Sequence, residues 1–247
     1  MNIQSSIQQY LKKHGFGTFC PKAVLFDMDG VLYDSMPNHA VSWHRSMKQC
    51  GIEMAEADAY RYEGMRGVET IKLLAHEQWH RELTADEAQQ MYQLKTSLFA
   101  ACPPAKIMEG VEQLMQKIKQ SGLQIGVVTG SGQHTLLDKL TSDFRGLVAE
   151  DLVVTSFDVS HGKPHPEPYL MGRRKCGVEP WQAIVVENAP LGVRAAVAAR
   201  IFTVGVNTGP LPNQVLADEG ASLVFNCMAD FGACWKELVS FTPDTSL

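Results

Sequence analysis

Short apolar runs recur along the chain and alternate with segments whose apolar residues follow a helical spacing. Residues 109–121 show such spacing, and Gly122 then provides a helix stop before the next apolar run. Strands that alternate with helices predict a doubly wound α/β fold, in which a parallel sheet is covered by helices on both faces. We predict six strands, the last of them the weakest, at 22–28, 123–129, 151–155, 183–187, 201–206 and 222–226.

One long interval breaks this alternation. Residues 35–106 contain no convincing strand and show only helical periodicity, rich in His, Glu, Gln, Met and Tyr. Because the interval lies between the first two predicted strands, we interpret it as an all-helical insertion. The predicted division is therefore an α/β core at 1–34 and 107–247, with a helical cap at 35–106. Residues 1–20 precede the first strand, and we expect them to form a packed or frayed helix.

Composition narrows the class of protein. The chain of 247 residues has a formal net charge of −5, which offers no global attraction for nucleic acid or an anionic membrane. Its six cysteines are scattered without a C-x-x-C pair, as expected of reduced thiols. The first twenty residues lack the apolar centre of a signal peptide, and no run approaches the roughly 20 apolar residues of a membrane span. We predict a cytoplasmic protein with no nucleic-acid or membrane partner. Its oligomeric state stays open, and a monomer is compatible with the sequence.

Two aspartates close the first predicted strand. Residues 24–30 are Val-Leu-Phe-Asp-Met-Asp-Gly, so Asp27 and Asp29 lie two residues apart and share a face of the extended chain. Carboxylates this close repel each other, and they persist where a cation or a catalytic task offsets the repulsion. The pair therefore indicates a metal or catalytic site.

The surrounding segment, 26–35, is Phe-Asp-Met-Asp-Gly-Val-Leu-Tyr-Asp-Ser and closely resembles the first motif of the haloacid dehalogenase-like phosphohydrolases. The helical insertion after it resembles that of the β-phosphoglucomutase-like branch, which implies a Rossmann-like core and a mobile cap over the site. The resemblance implies that Asp27 is the nucleophile and forms an aspartyl-phosphate. It implies that Asp29 protonates the leaving oxygen and then deprotonates the hydrolytic water. We expect the environments of the two carboxyl groups to differ.

Two later segments match further motifs of this family. After the second strand, Thr129 stands where the family places a Ser or Thr that holds phosphoryl oxygens, and Gly130 and Ser131 are expected to bind the substrate beside it. Residues 163–169 match Lys-Pro-x-Pro-acid-x-aromatic in full. The resemblance implies that Lys163 balances the charge of Asp27 and of the phosphoryl group.

The fourth segment, 186–192, departs from the family pattern. Many members end this strand with two acidic residues followed by Ser, whereas Glu187 is followed here by Asn188. The resemblance implies Mg²⁺, which takes hard oxygen ligands, and Asp27, Asp29, Glu187 and Asn188 are the candidate ligands in the core. An amide brings one negative charge fewer than a carboxylate. A unit charge at ~4 Å is worth up to ~4 kcal/mol at an effective dielectric of about 20, before desolvation is subtracted. We therefore expect a compensating carboxylate.

Glu63 in the cap is our candidate for that carboxylate. In sugar-phosphate mutases of this branch, the corresponding stretch resembles a basic-Gly-x-x-Arg pattern that grips a second phosphate. Here Glu63 replaces the basic residue and Gly67 replaces the arginine. We hypothesise that Glu63 reaches the metal when the cap closes, and the alternative is a solvated glutamate. His39 and Arg66 are candidates for contacting the leaving group, and Lys95 is a weaker one.

One motif indicates different chemistry. His76 and His80 form an H-E-x-x-H pattern, which on a helix can place two imidazoles on one face for zinc. No third ligand or Met turn of a zinc protease follows, and the stretch lies inside the helical insertion. We therefore do not favour zinc proteolysis.

The motifs together predict a Mg²⁺-dependent phosphohydrolase of a small phosphorylated molecule, either inorganic pyrophosphate or a small sugar phosphate. The alternative is a mutase of the β-phosphoglucomutase kind, which must exclude water and hold a sugar bisphosphate in either orientation. The changed basic positions of the cap count against it. A third interpretation is a non-catalytic phosphate-binding module with an impaired metal site. The joint presence of Asp27, Asp29, Thr129 and Lys163 counts against that.

Overall fold

The computed structural model of this protein describes residues 2–131 and 134–241. In this part of the chain a six-stranded sheet forms, and every neighbouring pair of strands is parallel. The order of the strands is β3-β2-β1-β4-β5-β6. All six predicted strands are confirmed; β4 coincides with the run that predicted it, and the other five are shorter than theirs. Their bounds are β1 Ala23–Phe26, β2 Gln124–Val128, β3 Val153–Val154, β4 Ala183–Glu187, β5 Phe202–Val206 and β6 Leu223–Phe225.

Helices connect the strands and cover the sheet. The α-helices are α1 Ile3–His14, α2 Met36–Cys50, α3 Glu56–Ala59, α4 Gly67–Trp79, α5 Ala85–Ala100, α6 Val111–Gln120, α7 His134–Asp143, α8 Glu167–Lys175, α9 Pro190–Ala198, α10 Asn213–Asp218 and α11 Met228–Val239. Short 3₁₀ helices cover Glu150–Leu152 and Pro180–Gln182.

Both faces of the sheet are buried, and the alternation of side chains along β1 shows how. Val24 and Phe26 point into a hydrophobic cluster that includes residues of α1, α6 and α11. Ala23 and Leu25 point to the other face, into a cluster with residues of α8 and α9. A strand that is apolar on both faces is typical of a parallel sheet with helices on each side. The predicted doubly wound α/β fold is therefore confirmed.

The N-terminal extension is packed rather than frayed. The buried residues of α1 are Ile3, Ile7 and Tyr10. The hydroxyl of Tyr10 lies 3.1 Å from the carbonyl oxygen of Pro180 and 3.0 Å from that of Arg200. Helix α1 therefore joins the hydrophobic core on one face of the sheet.

The segment between β1 and β2 is helical, as predicted, and has a hydrophobic cluster of its own. That cluster contains Trp43 and Met47 of α2 together with residues of α4 and α5. The two chain connections to the core run side by side, because the Asp34 amide donates to the Lys106 carbonyl at 2.9 Å. The helical cap is present, and its limits at 35 and 106 stay a prediction.

Helix α4 ends inside the H-E-x-x-H pattern. His80 follows the last residue of α4 with φ of 52°, in the left-handed region, and so leaves the helix. His76 instead lies 2.9 Å from Glu82 Oε1. The structure therefore does not assemble a zinc site from these two histidines. Within the part of the chain described, no helix has the length and apolar character needed to cross a membrane.

Candidate active site

The predicted chemical groups meet at the carboxyl ends of the central strands. Asp27 follows β1, Thr129 follows β2, and Glu187 is the last residue of β4. In this strand order β1 is flanked by β2 and β4, so the chain reverses direction across the sheet at this point. Ligands of open α/β sheets bind at such a switch point, outside the carboxyl ends of the strands. The fold therefore places the site where its topology predicts one.

Lys163 is the buried cation of this site. Its Nζ donates to Asp27 Oδ1, to Glu187 Oε1 at 2.6 Å and to the Val128 carbonyl at 3.2 Å. The side chain is only 1% exposed. Burial opposes the charge, but the two carboxylates outweigh it and raise the pKa of Lys163 above its ordinary value. Lys163 therefore stays protonated and neutralises charge next to Asp27.

Glu187 holds Lys163 and does not face the substrate. Its Oε1 also accepts a hydrogen bond from the Tyr169 hydroxyl at 2.6 Å, and its Oε2 accepts from the amides of Asn188 at 3.1 Å and Ala189 at 3.2 Å. The residue is completely buried. Each of its carboxylate oxygens already has two donors, so the structure does not support the expectation that Glu187 is a direct metal ligand.

Polar side chains of the cap form a line of contacts that reaches Asp29. Its Oδ1 accepts from the Ser35 hydroxyl at 2.6 Å and lies 3.3 Å from His39 Nε2. On the other side of the imidazole, Lys95 Nζ lies 2.7 Å from Nδ1. Because an ammonium can only donate, Nδ1 accepts, which leaves the proton of a neutral imidazole on Nε2, facing Asp29. Lys95 is buried, and burial lowers its pKa to about 8.

The environments of the two aspartates differ, as expected, but the order of their pKa values is opposite to the one that their expected roles require. Burial raises the pKa of Asp27 to about 8, and Lys163 only partly offsets this effect. Burial also opposes ionisation of Asp29, yet its contacts with His39 and Ser35 prevail and lower its pKa to about 2. A nucleophile must be ionised, whereas an acid must carry a proton. A cation bound beside Asp27 would lower its pKa and favour the ionised form that a nucleophile requires.

Glu63 of the cap contacts Asn188 of the core. Asn188 Nδ2 donates to Glu63 Oε1 at 2.9 Å, and Glu63 is only 8% exposed. It is therefore not a solvated glutamate in this closed arrangement. Gly30, with φ of 73°, makes the contact possible, because a Cβ there would lie 2.0 Å from Asn188 Nδ2. Burial and the nearby Asp27 carboxylate raise the pKa of Glu63 well above its ordinary value.

The donors gathered here fit a hard divalent cation. Asn188 Oδ1 is buried and has no hydrogen-bond partner among the described residues. A buried amide oxygen without a partner is costly, unless another group accepts its lone pairs. Asp27, Asp29 and Glu63 line one cavity, and Glu63 contacts Asn188. These are the ligand types that Mg²⁺ prefers.

The cavity between core and cap is small, with a volume of about 70 Å³. Core and cap backbones approach closely beside it, because a Cβ on Gly130 would lie 3.2 Å from the Gly64 carbonyl oxygen. A Cβ on Gly64 would lie 3.0 Å from Lys163 Cδ. The cap is therefore closed onto the core. The lining is formed by Asp27, Asp29, Met36, His39, Trp43, Ala59, Tyr62, Glu63, Gly64, Met65, Gly67, Tyr92, Lys95, Gly130 and Ser131.

Most of the predicted substrate-binding residues lie at this cavity. His39, Gly130 and Ser131 line it, and Thr129 lies directly behind them with its Oγ1 accepting from the Ser131 amide at 3.0 Å.

Arg66 is the exception among the predicted binding residues. Its Nη1 donates to the Ser160 carbonyl at 2.8 Å, and its stem lies against Gly162, where a Cβ would come within 2.5 Å of Arg66 Cγ. The structure therefore does not bring Arg66 to the leaving group. Arg66 joins the cap to the loop that carries Lys163.

On the cap side of the cavity the sequence pointed to His39 and Lys95 but not to Met36, Trp43 and Tyr92. Met36, His39 and Trp43 line it from α2, and Tyr92 and Lys95 line it from α5. Each set follows the spacing of three or four residues that puts side chains on one helical face. That periodicity was visible in the sequence, but it is equally typical of an ordinary hydrophobic core.

The chain belongs to the family of haloacid dehalogenase-like hydrolases, which matches residues 24–206. The validoxylamine A 7'-phosphate phosphatase of Streptomyces hygroscopicus subsp. limoneus is 32% identical over 190 residues, which cover 76% of this chain and 86% of that protein. The beta-phosphoglucomutase of Bacillus subtilis (strain 168) is 26% identical over 196 residues, 76% of this chain and 84% of that protein. A solved structure from Bacteroides vulgatus, provisionally named beta-phosphoglucomutase, has a TM-score of 0.93 and 49% identity, and covers 96% of this chain and 97% of that one.

These similarities confirm the predicted family and its β-phosphoglucomutase-like branch. The protein is therefore an enzyme that acts by phosphoryl transfer. The interpretation as a non-catalytic phosphate-binding module is not supported.

Proposed function

We propose that this enzyme hydrolyses inorganic pyrophosphate, with Mg²⁺ as cofactor and an aspartyl-phosphate on Asp27 as intermediate. The observation that carries the proposal is the contact of Glu63 with Asn188. It brings a third carboxylate to the site in which Asn188 replaces the usual Asp. Glu63 also stands at the cap position where a basic residue would bind the second phosphate of a sugar bisphosphate.

The oxygen donors that would hold Mg²⁺ are the carboxylates of Asp27 and Glu63 and the Oδ1 of Asn188, which has no partner among the described residues. Bound there, the cation would neutralise charge on the transferred phosphoryl oxygens. Asp29, also predicted as a ligand, is assigned to proton transfer instead, because a carboxylate that binds a divalent cation cannot carry a proton. Glu187 would act through Lys163 rather than on the cation, because its carboxylate holds the ammonium of Lys163 in place.

The residues of the chain carry the proposed reaction in two steps. The Asp27 carboxylate attacks phosphorus, the bridging P–O bond breaks, and phosphate leaves with a proton from Asp29 where it needs one. Water then attacks the aspartyl-phosphate and gives its proton to Asp29, and the Asp27 carboxylate is released. Lys163 neutralises charge throughout, while Thr129 and the backbone around Ser131 hold the phosphoryl oxygens.

The size of the cavity supports a very small substrate. Its volume of about 70 Å³ is well below the roughly 300–1,000 Å³ of pockets for larger organic ligands. The electrostatics support the same choice, because phosphate is a far less basic leaving group than the alkoxide of a sugar. With a pKa of about 2, Asp29 holds a proton poorly. Pyrophosphate is the substrate whose leaving group needs that proton least.

A small sugar phosphate is the second candidate substrate, and the names of the relatives favour it. Those names describe phosphatases of phosphorylated sugars and related alcohols, and a phosphoglucomutase. Among the described residues that line the cavity, however, Lys95 is the only lysine or arginine, and it is engaged with His39. This arrangement gives little support to a mutase, which must bind both phosphates of a sugar bisphosphate.

The test is phosphate release with Mg²⁺ from pyrophosphate, hexose 6-phosphates, hexitol phosphates and short sugar phosphates. We expect kcat/KM for pyrophosphate to exceed that for every sugar phosphate by at least tenfold. A higher value for a sugar phosphate would overturn the proposed substrate. Conversion of glucose 1-phosphate to the 6-phosphate in the presence of a bisphosphate primer would establish the mutase instead.

The metal site is tested by exchanging charges between Glu63 and Asn188. Glu63→Gln should weaken Mg²⁺ binding, measured by calorimetry, by at least tenfold, because one carboxylate ligand is lost. The double variant Glu63→Gln with Asn188→Asp restores the number of carboxylates and should recover most of the affinity. The matched control is Glu53→Gln, an exposed acid of the cap. Equal Mg²⁺ affinity in Glu63→Gln and the wild type would remove Glu63 from the site.

We further propose that the protein works in the cytoplasm on a small phosphorylated molecule. All six cysteines are free thiols, as expected in a reducing compartment. A monomer is compatible with the site, because all the groups named here come from one chain.

A further inference from the structure

A second group of metal-ligating side chains lies on the loop that carries Lys163, facing outward. His161 and His165 lie on either side of the lysine in sequence, and Glu167 begins α8. We propose that His161, His165 and Glu167 form a binding site for a divalent transition-metal ion such as Zn²⁺, separate from the Mg²⁺ site. This inference does not depend on the proposed pyrophosphate substrate.

The spacing of the ligand atoms fits a tetrahedral ion. Glu167 Oε2 lies 2.9 Å from His161 Nδ1 and 3.9 Å from His165 Nδ1. One ligand atom from each residue can be chosen so that all three lie within 4.8 Å of one another. Zinc binds imidazole and carboxylate at about 2.0–2.1 Å, which places two ligands of a tetrahedron roughly 3.4 Å apart. The two separations from Glu167 lie on either side of that value, so the cluster is close to the spacing that an ion requires.

The three side chains are already held in place. Glu167 Oε1 accepts from the Ser160 amide at 2.8 Å, and Oε2 accepts from the His161 amide at 3.0 Å. The two imidazole rings lie 4.6 Å apart between their centres. Pro164 and Pro166 flank His165 and restrict its backbone. Binding an ion here therefore requires little additional ordering.

The ligand types select the ion. Two imidazoles and one carboxylate suit Zn²⁺, Co²⁺, Ni²⁺ and Cu²⁺, whereas Mg²⁺ prefers an all-oxygen shell. The side chains of His161 and His165 are 65% and 50% exposed, so an ion can enter and keep water as its fourth ligand. Binding through Nδ1 requires the imidazole tautomer that carries its proton on Nε2.

The experiment titrates Zn²⁺ by calorimetry into the full chain in a large excess of Mg²⁺, which occupies the carboxylate site. We expect one zinc site in the wild type, weakened at least tenfold in His161→Ala and in His165→Ala. Co²⁺ as the probe should give the intense visible absorption of a tetrahedral ion, and both variants should lose it. His76→Ala is the matched control, because it removes an exposed histidine of the unassembled H-E-x-x-H pattern.

Neither His161 nor His165 lines the catalytic cavity, so both variants should keep their Mg²⁺-dependent phosphatase rate within about twofold. This measurement also shows that the variants are folded. Absence of zinc binding by the wild type would overturn the proposal. Equal zinc affinity in the wild type and the two histidine variants would overturn it as well.

Discussion

Asp27 and Asp29 lie two residues apart, yet their surroundings shift their pKa values in opposite directions. Asp27 lies among carboxylates in a buried site, where burial favours its protonated form despite Lys163. Asp29 accepts from a hydroxyl and an imidazole, which favour its ionised form. Identical side chains on one short loop thus acquire different chemistry from the groups that reach them.

Asp27→Asn tests the covalent role of the nucleophile. An amide is a poor nucleophile, so we expect kcat to fall by a factor on the order of 10⁴ or more, as when other catalytic nucleophiles are removed. The fold should survive, because the amide keeps the shape and can still contact Lys163. Phosphate release and thermal melts measure both effects. Asp34→Asn, in the same loop, is the matched control. Substantial residual turnover in Asp27→Asn would contradict an aspartyl-phosphate.

Helices α2 and α5 contribute a connected line of polar groups rather than isolated residues. Lys95 comes from α5, His39 from α2, and together they reach Asp29 in the core. The ammonium of Lys95 lies 5.2 Å from the centre of the Trp43 ring and 4.9 Å from that of Phe99. Aromatic faces stabilise a cation that has little access to water. The cap therefore places the imidazole of His39 against Asp29, the predicted catalytic acid.

His39→Gln should interrupt this line. We expect kcat to fall by roughly 10²-fold for alkyl or sugar phosphates, whose basic leaving groups need a proton. The loss should be much smaller for p-nitrophenyl phosphate, whose leaving group departs without one. His44→Gln is the matched control on α2, because His44 contacts the Met54 carbonyl and does not line the cavity. Equal losses with both kinds of substrate would make the role of His39 structural.

Arg66 connects the cap to the Lys163 loop through Ser160. We expect Arg66→Ala to lose a partly exposed charged hydrogen bond worth about 1 kcal/mol, and therefore to lower kcat/KM roughly fivefold by favouring the open cap. Glu69→Ala is the control, because it removes the carboxylate that lies 3.9 Å from Arg66 and leaves the contact of Arg66 with Ser160. A loss of more than a hundredfold that depends on the leaving group would instead place Arg66 at the substrate.

The stability of the whole molecule is affected by the carboxyl groups that crowd together in its closed site. Asp27 and Glu63 are both buried and have raised pKa values, and with Asp29 and Glu187 they repel one another. Lys163 is shared between two of these carboxylates. Such a site is stable when protons or a cation neutralise it. The global stability of the protein should therefore depend on pH and on Mg²⁺.

The pH dependence of stability has a definite sign. Carboxyl groups of the unfolded chain ionise near pH 4, whereas Asp27 holds its proton to about pH 8 in the folded protein. The folded state therefore binds more protons, and the free energy of unfolding falls as pH rises through this window. The lowered pKa of His39 acts in the opposite sense below about pH 6.5, so the effect is cleanest between about pH 6.5 and 8.

In chelator-treated protein we expect a loss on the order of 1–2 kcal/mol across that window, measured by denaturant unfolding. Mg²⁺ should restore the stability at the upper end. Asp27→Asn should make the decline smaller but not abolish it, because the pKa of Glu63 is also raised. Glu53→Gln, which changes an exposed acid, should leave the profile unchanged. A stability that rises between pH 6.5 and 8 without metal would contradict the raised pKa of Asp27.

The sequence by itself determined the sheet, the helical insertion and the catalytic loops. Strands such as 183–187 are continuous apolar runs because both of their faces are buried, and Asp27 follows such a run directly. These features are local, so spacing and residue type are sufficient to predict them. Tertiary structure decided the partners. Glu63 and Asn188 are separated by 125 residues, so only the fold shows that they meet. Arg66 and Ser160 are separated by 94 residues, and only the fold shows that Arg66 contacts the Ser160 carbonyl instead of lining the cavity. Glu187 also looked like a metal ligand until the fold surrounded its carboxylate with hydrogen-bond donors.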